Sequence, residues 1–387
     1  MLRRPLLRLS LAGLTAALVL ALAQPPARSC APVYRSGTPA VRIATETALI
    51  VWDDKAPRDK KRGTQHFIRR GTFDTAAPDF GFLVPTPTNP EVAEADDDVF
   101  KALEKYTAPK IVDRHVTGTP PGMAMGRGMG AVPTMAPKAA VEVVGEGRVG
   151  QLDYSILHST TKDPKPVLKW LRDNNYTTRD ALDEWLKPYL DNGWYLTAFK
   201  FARALPSRSG LSTKAVRMTF GTDEPFYPYR EPEDMRSPGI HPPRLLRLYV
   251  LADDRVRGTL GKDQPWSART VWSDHLPADS VKADVLEPLK IDVTRDSEWS
   301  PRLTMFEDNV SPRYGIDEVY FSSSPDQSVV ERIEYRDVYG MPYESAVPTE
   351  TRHRLVIGTS IVAGALLLGL AGIALYFFLS GRPSPQS

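Results

Sequence analysis

An uninterrupted apolar stretch near the end of the chain constrains its fold more than any other feature. Leu355–Leu379 comprises 25 consecutive residues without a charge, LVIGTSIVAGALLLGLAGIALYFFL. At about 1.5 Å per residue, a helix of this length spans about 37 Å and can cross a hydrocarbon core of about 30 Å with some tilt. A buried core helix is the alternative, but this length and purity favour a transmembrane helix.

A second apolar stretch at the start of the chain is typical of a secretory signal peptide. Arginines precede an uncharged run from Leu9 to Ala23, which ends in the small-x-small sequence Ala-Leu-Ala. A basic start, a short apolar run and such a cleavage site predict a signal peptide over residues 1–23. An uncleaved anchor is the alternative, but the run is shorter than the ~20 residues that a membrane span needs. Both alternatives export the chain that follows.

Together the two stretches predict a single-pass protein. Its large domain lies outside the cytoplasm, in the periplasm or at the cell surface, and residues 380–387 form a cytosolic tail. The flanking charges oppose this orientation, because Arg352 and Arg354 lie on the outer side and Arg382 alone on the inner side. We give the signal peptide more weight, since the first hydrophobic segment usually sets the orientation.

The exported part carries little net charge. Six of the 49 basic residues lie in the end segments 1–23 and 352–387, which contain no acid, so residues 24–351 have 43 basic and 47 acidic side chains. This balance gives no basic field for nucleic acid, and we expect no nucleic acid as a partner. Cys30 is the only cysteine, so no internal disulfide forms. A free thiol, an intermolecular bond and lipidation remain open for it.

The stretch VEVVGEGRVGQLDYSIL has the spacing of a dinucleotide-binding loop, G-x-G-x-x-G, at Gly145, Gly147 and Gly150. That loop requires a strand before the glycines and a helix after them. Here residues 151–157 alternate between apolar and polar side chains, which is strand periodicity. Two strands around a glycine-containing connection predict a β-hairpin and no bound nucleotide.

The remaining pattern predicts an α+β fold, a β-rich exported domain with a short helix pair. Enrichment in β-branched and aromatic residues favours strands over residues 41–54, 64–73, 194–201, 214–222, 244–256 and 268–276. Segments 163–175 and 177–193 carry apolar stripes at helical spacing, which predict the helix pair. A loop near residues 205–213 is predicted to separate an N-terminal subdomain, 24–210, from a second β-rich subdomain, 211–350.

The segment FGFLVPTPTNPEV, residues 80–92, is predicted to be a buried structural junction. Phe82 and Val84 alternate with residues that are also small or apolar, as in a strand covered on each side. Pro85 and Pro87 are predicted to end the pairing and to fix the direction in which the chain leaves. We assign this segment no catalytic role.

Two stretches allow a metal site as an alternative interpretation. The aspartates at 96–98 could bind calcium, but no D-x-D-x-D-G spacing follows and they favour the start of a short helix. The methionines between residues 117 and 139 could bind copper(I), although a flexible insert explains this Gly- and Pro-rich stretch. We therefore assign no metal ligand, and no cofactor.

The order of these features resembles the bacterial family called domain of unknown function 2330. The resemblance rests on ALIVWDD, FGFLVPTPTNPEV, LEKYTAP, the VEVV and VGQLDYSIL strands, VLKWLRDNNY and GWYLTAFKF, and it covers roughly residues 30–345. It implies an exported and often membrane-anchored protein and transfers no active-site residue. Family members often carry paired cysteines near the mature start, whereas this chain has Cys30 alone.

Two functions agree with the sequence. The first is a non-catalytic envelope protein, held in the lipid bilayer by Leu355–Leu379, whose ectodomain is structural or binds a protein or a glycan. The second is an envelope hydrolase. Its catalytic residues would be dispersed in the sequence, because the histidines form no i,i+4 pair and no hydrolase motif occurs. The missing motifs favour the first. A deep pocket joining a histidine to a serine and an acid would favour the second.

Overall fold

A computed structural model describes residues 31–34, 42–75, 80–116, 141–176, 178–201, 208–212, 214–236, 245–293, 299–310 and 313–339. The predicted signal peptide, Cys30, the methionine-rich stretch and the predicted transmembrane helix lie outside these residues. Within the described ranges, no helix has the length and hydropathy that a membrane span requires.

A large sheet forms the centre of the fold. In spatial order it consists of β16 (Arg269–His275), β17 (Arg302–Asp308), β13 (Leu245–Ala252), β2 (Arg42–Asp53), β3 (Gly63–Thr75), β11 (Val216–Thr222) and β5 (Glu91–Glu94), and β10 (Arg208–Ser212) also pairs with β3. Neighbouring strands are antiparallel except β13 and β2, which are parallel. The two predicted subdomains therefore share one sheet, with strands from both sides of residues 205–213.

Three smaller sheets complete the described strands. The five-stranded sheet has the order β1 (Ala31–Tyr34), β4 (Phe80–Thr86), β9 (Tyr195–Phe201), β8 (Leu152–His158) and β7 (Glu142–Val149). The four-stranded sheet has the order β12 (Phe226–Tyr227), β18 (Val319–Ser323), β14 (Val256–Leu260) and β15 (Gln264–Pro265). The last sheet pairs β19 (Ile333–Tyr339) with β6 (Lys110–Val116).

The helices of the described part are few and short, which confirms the β-rich α+β class. They are α1 (Asp98–Tyr106), α2 (Lys165–Asp173), α3 (Ala181–Asp191) and α4 (Ala278–Val281), the last continued by a π-helical turn, Lys282–Leu286. The predicted helix pair is α2 and α3. Asp163 Oδ1 accepts a hydrogen bond from Lys165 N at 3.0 Å and so satisfies a free N–H at the start of α2.

The central sheet is covered on both faces, as the alternating side chains of strand β2 show. Ala48 and Ile50 lie in the core between the eight-stranded and the five-stranded sheet, whereas Leu49 and Val51 lie in the core under α1 and α4. Helices α2 and α3 pack on the outer face of the five-stranded sheet. The run of four apolar residues in β2 thus follows from a strand that is buried on each side.

The predicted junction occupies β4 and its exit. Phe82 and Val84 face the core between the two large sheets, and Leu83 faces the helix pair. The prediction that Pro85 ends the pairing is wrong, because β4 continues past it to Thr86 in register with β9. Among the described residues, β1 pairs with β4 as far as Leu83 and Pro85 pairs with β9 alone, a position that tolerates a missing N–H.

The glycine-rich stretch forms the predicted hairpin. Strands β7 and β8 are antiparallel, with Gly147 opposite Tyr154, and only Gly150 and Gln151 connect them. Gly150 has a φ of 57°, a left-handed conformation that glycine adopts without steric cost. The positive φ that the turn requires therefore belongs to Gly150 and not to Gly147.

Gly147→Ala is expected to lower the free energy of unfolding by about 1 kcal/mol, through crowding in the hairpin. A Cβ at Gly147 would lie 2.8 Å from the Tyr154 hydroxyl and 3.0 Å from its ring, so this side chain must shift. Gly150→Ala is expected to cost about as much for a different reason, a strained φ. Urea denaturation of both variants measures these costs. Saturable NAD or ATP binding to the parent protein would contradict the hairpin interpretation.

The chain divides into two compact units, residues 1–110 with 124–334 and residues 111–123 with 335–387. Of the second unit the structure describes only 111–116 and 335–339, in β6 and β19. Arg336 donates hydrogen bonds to both carboxylate oxygens of Asp113, at 2.7 and 2.9 Å.

Candidate functional site

Two Asp-Asp pairs lie at one edge of the eight-stranded sheet. Asp53 ends β2 and is followed by Asp54, and Asp253 and Asp254 follow the end of β13. Because β2 and β13 are parallel and Leu251 pairs with Val51, both pairs emerge at the same edge. In α/β proteins, the carboxyl ends of adjacent parallel strands are the usual place for a ligand cleft.

A cleft of about 200 Å³ lies at these strand ends. Among the described residues, its charged lining consists of four carboxylates and one guanidinium, from Asp54, Glu224, Asp253, Asp254 and Arg62. Its apolar lining includes Trp52 from β2, Pro225, Val256 from β14 and Phe321 from β18. The described lining therefore combines carboxylates with an aromatic and aliphatic wall, and it is built largely on strand ends rather than on long loops.

Three of the carboxylates are held by neighbouring donors. The Lys55 ammonium lies 2.8 Å from Asp54 Oδ2 and 3.7 Å from Asp253 Oδ2, so it bridges the two strand ends. Trp299 Nε1 donates to Asp253 Oδ1 at 3.1 Å, and Ser323 Oγ donates to Asp254 Oδ2 at 2.8 Å. These contacts fix the carboxylates in place without neutralising all of them.

Glu224 and Arg62 differ from those three aspartates. In the described part of the chain, neither the Glu224 carboxylate nor the Arg62 guanidinium has a hydrogen-bond or ion-pair partner. Both residues are exposed at the cleft. Polar groups that end in a cleft without an internal partner are the ones that a ligand can bind, as in most small-molecule sites.

A strained turn leads into the cleft. Asp59 and Lys60, at the tip of the β2–β3 hairpin, have φ values of 51° and 63°, and Lys61 N donates to Arg58 O at 2.8 Å. Two consecutive non-glycine residues with positive φ are uncommon, and such strain concentrates near functional sites. The turn brings the chain to Arg62, which lines the cleft.

Among the described residues, none that lines the cleft is a histidine. His66 lies buried in β3 with Nδ1 at 3.0 Å from Thr219 Oγ1, and burial, together with nearby arginines, lowers its pKa to about 3. His275 Nδ1 lies 3.1 Å from Ser300 Oγ, but both residues are exposed and neither lines the cleft. The histidine, serine and acid that the hydrolase hypothesis requires are therefore not joined here.

In the described ranges, no three His, Cys, Asp or Glu side chains are grouped so that they could hold an ion. The aspartates at 96–98 serve the start of α1, as one of the two interpretations predicted. Asp96 Oδ1 accepts a hydrogen bond from Asp98 N at 2.9 Å, and Asp97 Oδ1 accepts one from Ala215 N at 3.2 Å. The methionine-rich stretch lies outside the described residues.

The residues singled out in the sequence do not line the cleft. Phe82 and Val84 are buried in the core, Pro85 lies in β4, and Pro87 follows β4 and is half-buried. The sequence did carry one signal for the cleft, since each Asp-Asp pair directly follows an apolar, strand-forming run. That signal was missed because the strand order that makes β2 and β13 neighbours is not evident from the residues.

Comparisons with known proteins identify one family. The model of a family described as an uncharacterized protein conserved in bacteria (DUF2330) matches residues 25–295. No curated protein matches the chain. A crystal structure of baculovirus P35 is similar over 76% of this chain and 99% of its own, with 9% identity and a TM-score of 0.31. A TM-score this low carries no argument about fold or function.

Proposed function

The chain belongs to the DUF2330 family of uncharacterized proteins conserved in bacteria, and we propose that it is an exported, single-pass membrane protein whose ectodomain binds a ligand. The cleft beyond β2 and β13 is the observation that supports binding. It places partnerless polar groups, Glu224 and Arg62, beside an aromatic side chain, Trp52, at the rigid edge of a sheet buried on both faces.

Export and anchoring rest on the two ends of the sequence. The basic and then apolar start directs the chain out of the cytoplasm, and Leu355–Leu379 stops its transfer and holds it in the bilayer. The described β-rich domain lies between these two segments. In this topology the cleft is outside the cytoplasm, where no pool of nucleotide cofactor is at hand, and its ligand comes from the cell envelope or its surroundings.

Binding agrees better with the cleft than hydrolysis does. Three of its carboxylates are fixed by Lys55, Trp299 and Ser323, which orient a site but supply no nucleophile–base pair. The lining contains serines, Ser322 and Ser323, without a histidine beside them. We therefore place this chain among envelope proteins that recognise a ligand rather than transform it.

Deleting Leu355–Ser387 is expected to release the ectodomain from the membrane, because no other part of the mature chain could span a bilayer. The measurement is fractionation of cells that express the truncated protein, with a high-salt wash of the membranes. A matched control deletes only Ser380–Ser387, which keeps the apolar segment and should leave the protein in the membrane. If the longer deletion still sediments with washed membranes, a single C-terminal anchor is wrong.

A further inference from the structure

We propose that residues 324–330, which we call the strap, cover a binding site for an oxyanion, a phosphate or carboxylate group, between Arg255 and Arg302. The bound oxyanion takes the place that the main-chain oxygen of Ser328 occupies in this structure, and the strap opens as it binds. Neither arginine lines the cleft, so this site is separate from the proposed ligand site. The convergence of the two arginines, the burial of Arg302 and the polar attachment of the strap support the inference.

Two guanidinium groups meet at one oxygen atom of the strap. Arg302 Nη2 donates to Ser328 O at 2.8 Å, and Arg255 Nη1 donates to the same atom at 3.1 Å. Arg255 Nη1 also lies 3.2 Å from Ser328 Oγ. Guanidinium donors form shorter and stronger hydrogen bonds to phosphate and carboxylate oxygens than to a neutral carbonyl. An oxyanion is therefore a better acceptor at this point than Ser328 O.

The Arg302 side chain is buried among neutral partners. Arg302 is 3% exposed, its Nε donates to Ser273 Oγ at 3.2 Å, and its Nη2 lies 3.5 Å from Ser273 O. Among the described residues, no carboxylate pairs with this guanidinium. Burying a charge without a counter-charge is costly, and an anion that reaches the guanidinium lowers this cost.

Polar contacts attach the strap to the rest of the domain. All of its residues are exposed or half-buried, and Val329 is 54% exposed. Arg255 pairs with Asp326 at 2.8 Å, but the Asp326 side chain is 61% exposed, so solvent and salt screen this ion pair. Gln327 forms two hydrogen bonds to the main chain of Arg255, at 2.9 and 3.0 Å. A segment with few buried apolar side chains opens locally at a low cost in free energy.

A single bridge joins the end of the strap to β16, an edge strand of the eight-stranded sheet. Ser273 N donates to Val330 O and Val330 N donates to Ser273 O, both at 2.9 Å. Ser273 is fully buried, and its Oγ accepts the hydrogen bond from Arg302 Nε. Opening of the strap breaks the bridge and exposes both amides to water, so hydrogen exchange at Ser273 and Val330 reports the opening.

The test is hydrogen–deuterium exchange of the full chain in a non-ionic detergent, read by mass spectrometry. Phosphate probes a free tetrahedral oxyanion, and acetate probes a carboxylate such as an acidic side chain carries. Each is compared with chloride at the same pH and ionic strength. We expect phosphate, acetate or both to speed exchange in peptides that contain Ser273 or Val330 by about three- to tenfold, because the anion shifts the population towards the open strap. Exchange in β13 should not change.

Substitutions of the two arginines make the test specific. Arg255→Gln and Arg302→Gln are each expected to abolish the response to phosphate and acetate, because each removes one of the converging donors. Arg269→Gln removes the same charge from an exposed position in β16 and should keep the response. Arg255 is only half-buried, so Arg255→Gln still tests the site if the loss of the buried Arg302 side chain unfolds the protein.

Three results would overturn the inference. Equal exchange in phosphate, acetate and chloride means that ionic strength alone loosens the strap. An undiminished response in Arg255→Gln means that the anion binds elsewhere. Slower exchange at Ser273 and Val330 with either anion means that it binds without opening the strap. None of these results bears on ligand binding at the cleft, which involves other residues.

Discussion

Phe82→Ala is expected to lower the free energy of unfolding by about 3–5 kcal/mol, through lost burial and the cavity that remains. The Phe82 ring is 6% exposed and stacks on Phe199, with ring centroids 5.0 Å apart. The Arg69 guanidinium lies 4.7 Å from the same ring and forms a buried ion pair with Glu46 at 2.7 Å. Removing the ring therefore disturbs both the apolar core and the surroundings of a buried charge.

Thermal unfolding of the full chain in detergent measures this cost, and Thr86→Val in the same strand is the matched control. Thr86 is fully buried, and among the described residues its Oγ1 has no hydrogen-bond partner, so an isosteric methyl should change stability by less than about 1 kcal/mol. If Phe82→Ala melts like the parent while Thr86→Val loses ligand binding, the segment is a functional site and its structural role is wrong.

Thr88 differs from Thr86, because its side-chain hydroxyl has hydrogen-bond partners. Thr88 Oγ1 donates to Gly221 O at 3.1 Å and accepts from Gly221 N at 2.9 Å, so it ties the exit of β4 to β11. Thr88→Ala leaves both backbone groups buried without this partner, which raises the expected cost to about 1–3 kcal/mol.

Glu318→Ala is expected to destabilise the protein by about 3–5 kcal/mol, because it leaves two buried donors and one partly buried donor without an acceptor. Glu318 Oε2 accepts hydrogen bonds from Tyr229 N at 2.6 Å and Arg230 N at 3.1 Å, and Oε1 accepts one from the Tyr189 hydroxyl. One carboxyl thus ties the loop after β12 to α3 and β18. Burial raises the pKa of Glu318, and the three donors oppose that rise.

Asp317, the preceding residue, provides the control for Glu318. Its side chain is 47% exposed and lies 3.7 Å from Arg230, so Asp317→Ala removes a solvent-screened charge and should cost less than about 1 kcal/mol. Urea denaturation compares the two variants. Equal stabilities would show that the Glu318 hydrogen bonds do not hold the loop, and that the core depends on its aromatic side chains alone.

Local features of the fold were predictable from the sequence wherever one short segment determines them. The hairpin at residues 142–158 follows from strand periodicity on both sides of the glycines, and the helix pair follows from two apolar stripes. Helix α4 with its π-helical turn was missed, although Val281, Val285 and Leu289 recur at helical spacing and are buried. The helical pattern of α4 covers only a short segment, and residues typical of loops flank it on both sides.

The candidate site could not be predicted in the same way, because it depends on long-range pairing. Asp54 and Asp254 meet only because β13 adds to β2 in parallel, and no local pattern states which strands become neighbours. The exact pairing at Pro85 had the same cause, since it depends on which strand lies beside β4 there, and β9 pairs with β4 as far as Thr86. The position of the site and the pairing at Pro85 both depend on strand topology, and not on the local strand propensity of the residues.

The proposed membrane topology can be tested with single cysteines in a Cys30→Ser background. Lys60→Cys places a thiol at the exposed tip of the β2–β3 hairpin, and Ser387→Cys places one in the short tail. A membrane-impermeant maleimide is applied to intact spheroplasts and to lysed ones. We expect Lys60→Cys to be labelled in both and Ser387→Cys only after lysis. Labelling of Ser387→Cys in intact spheroplasts, with Lys60→Cys protected, would contradict an exported domain held by a C-terminal transmembrane helix.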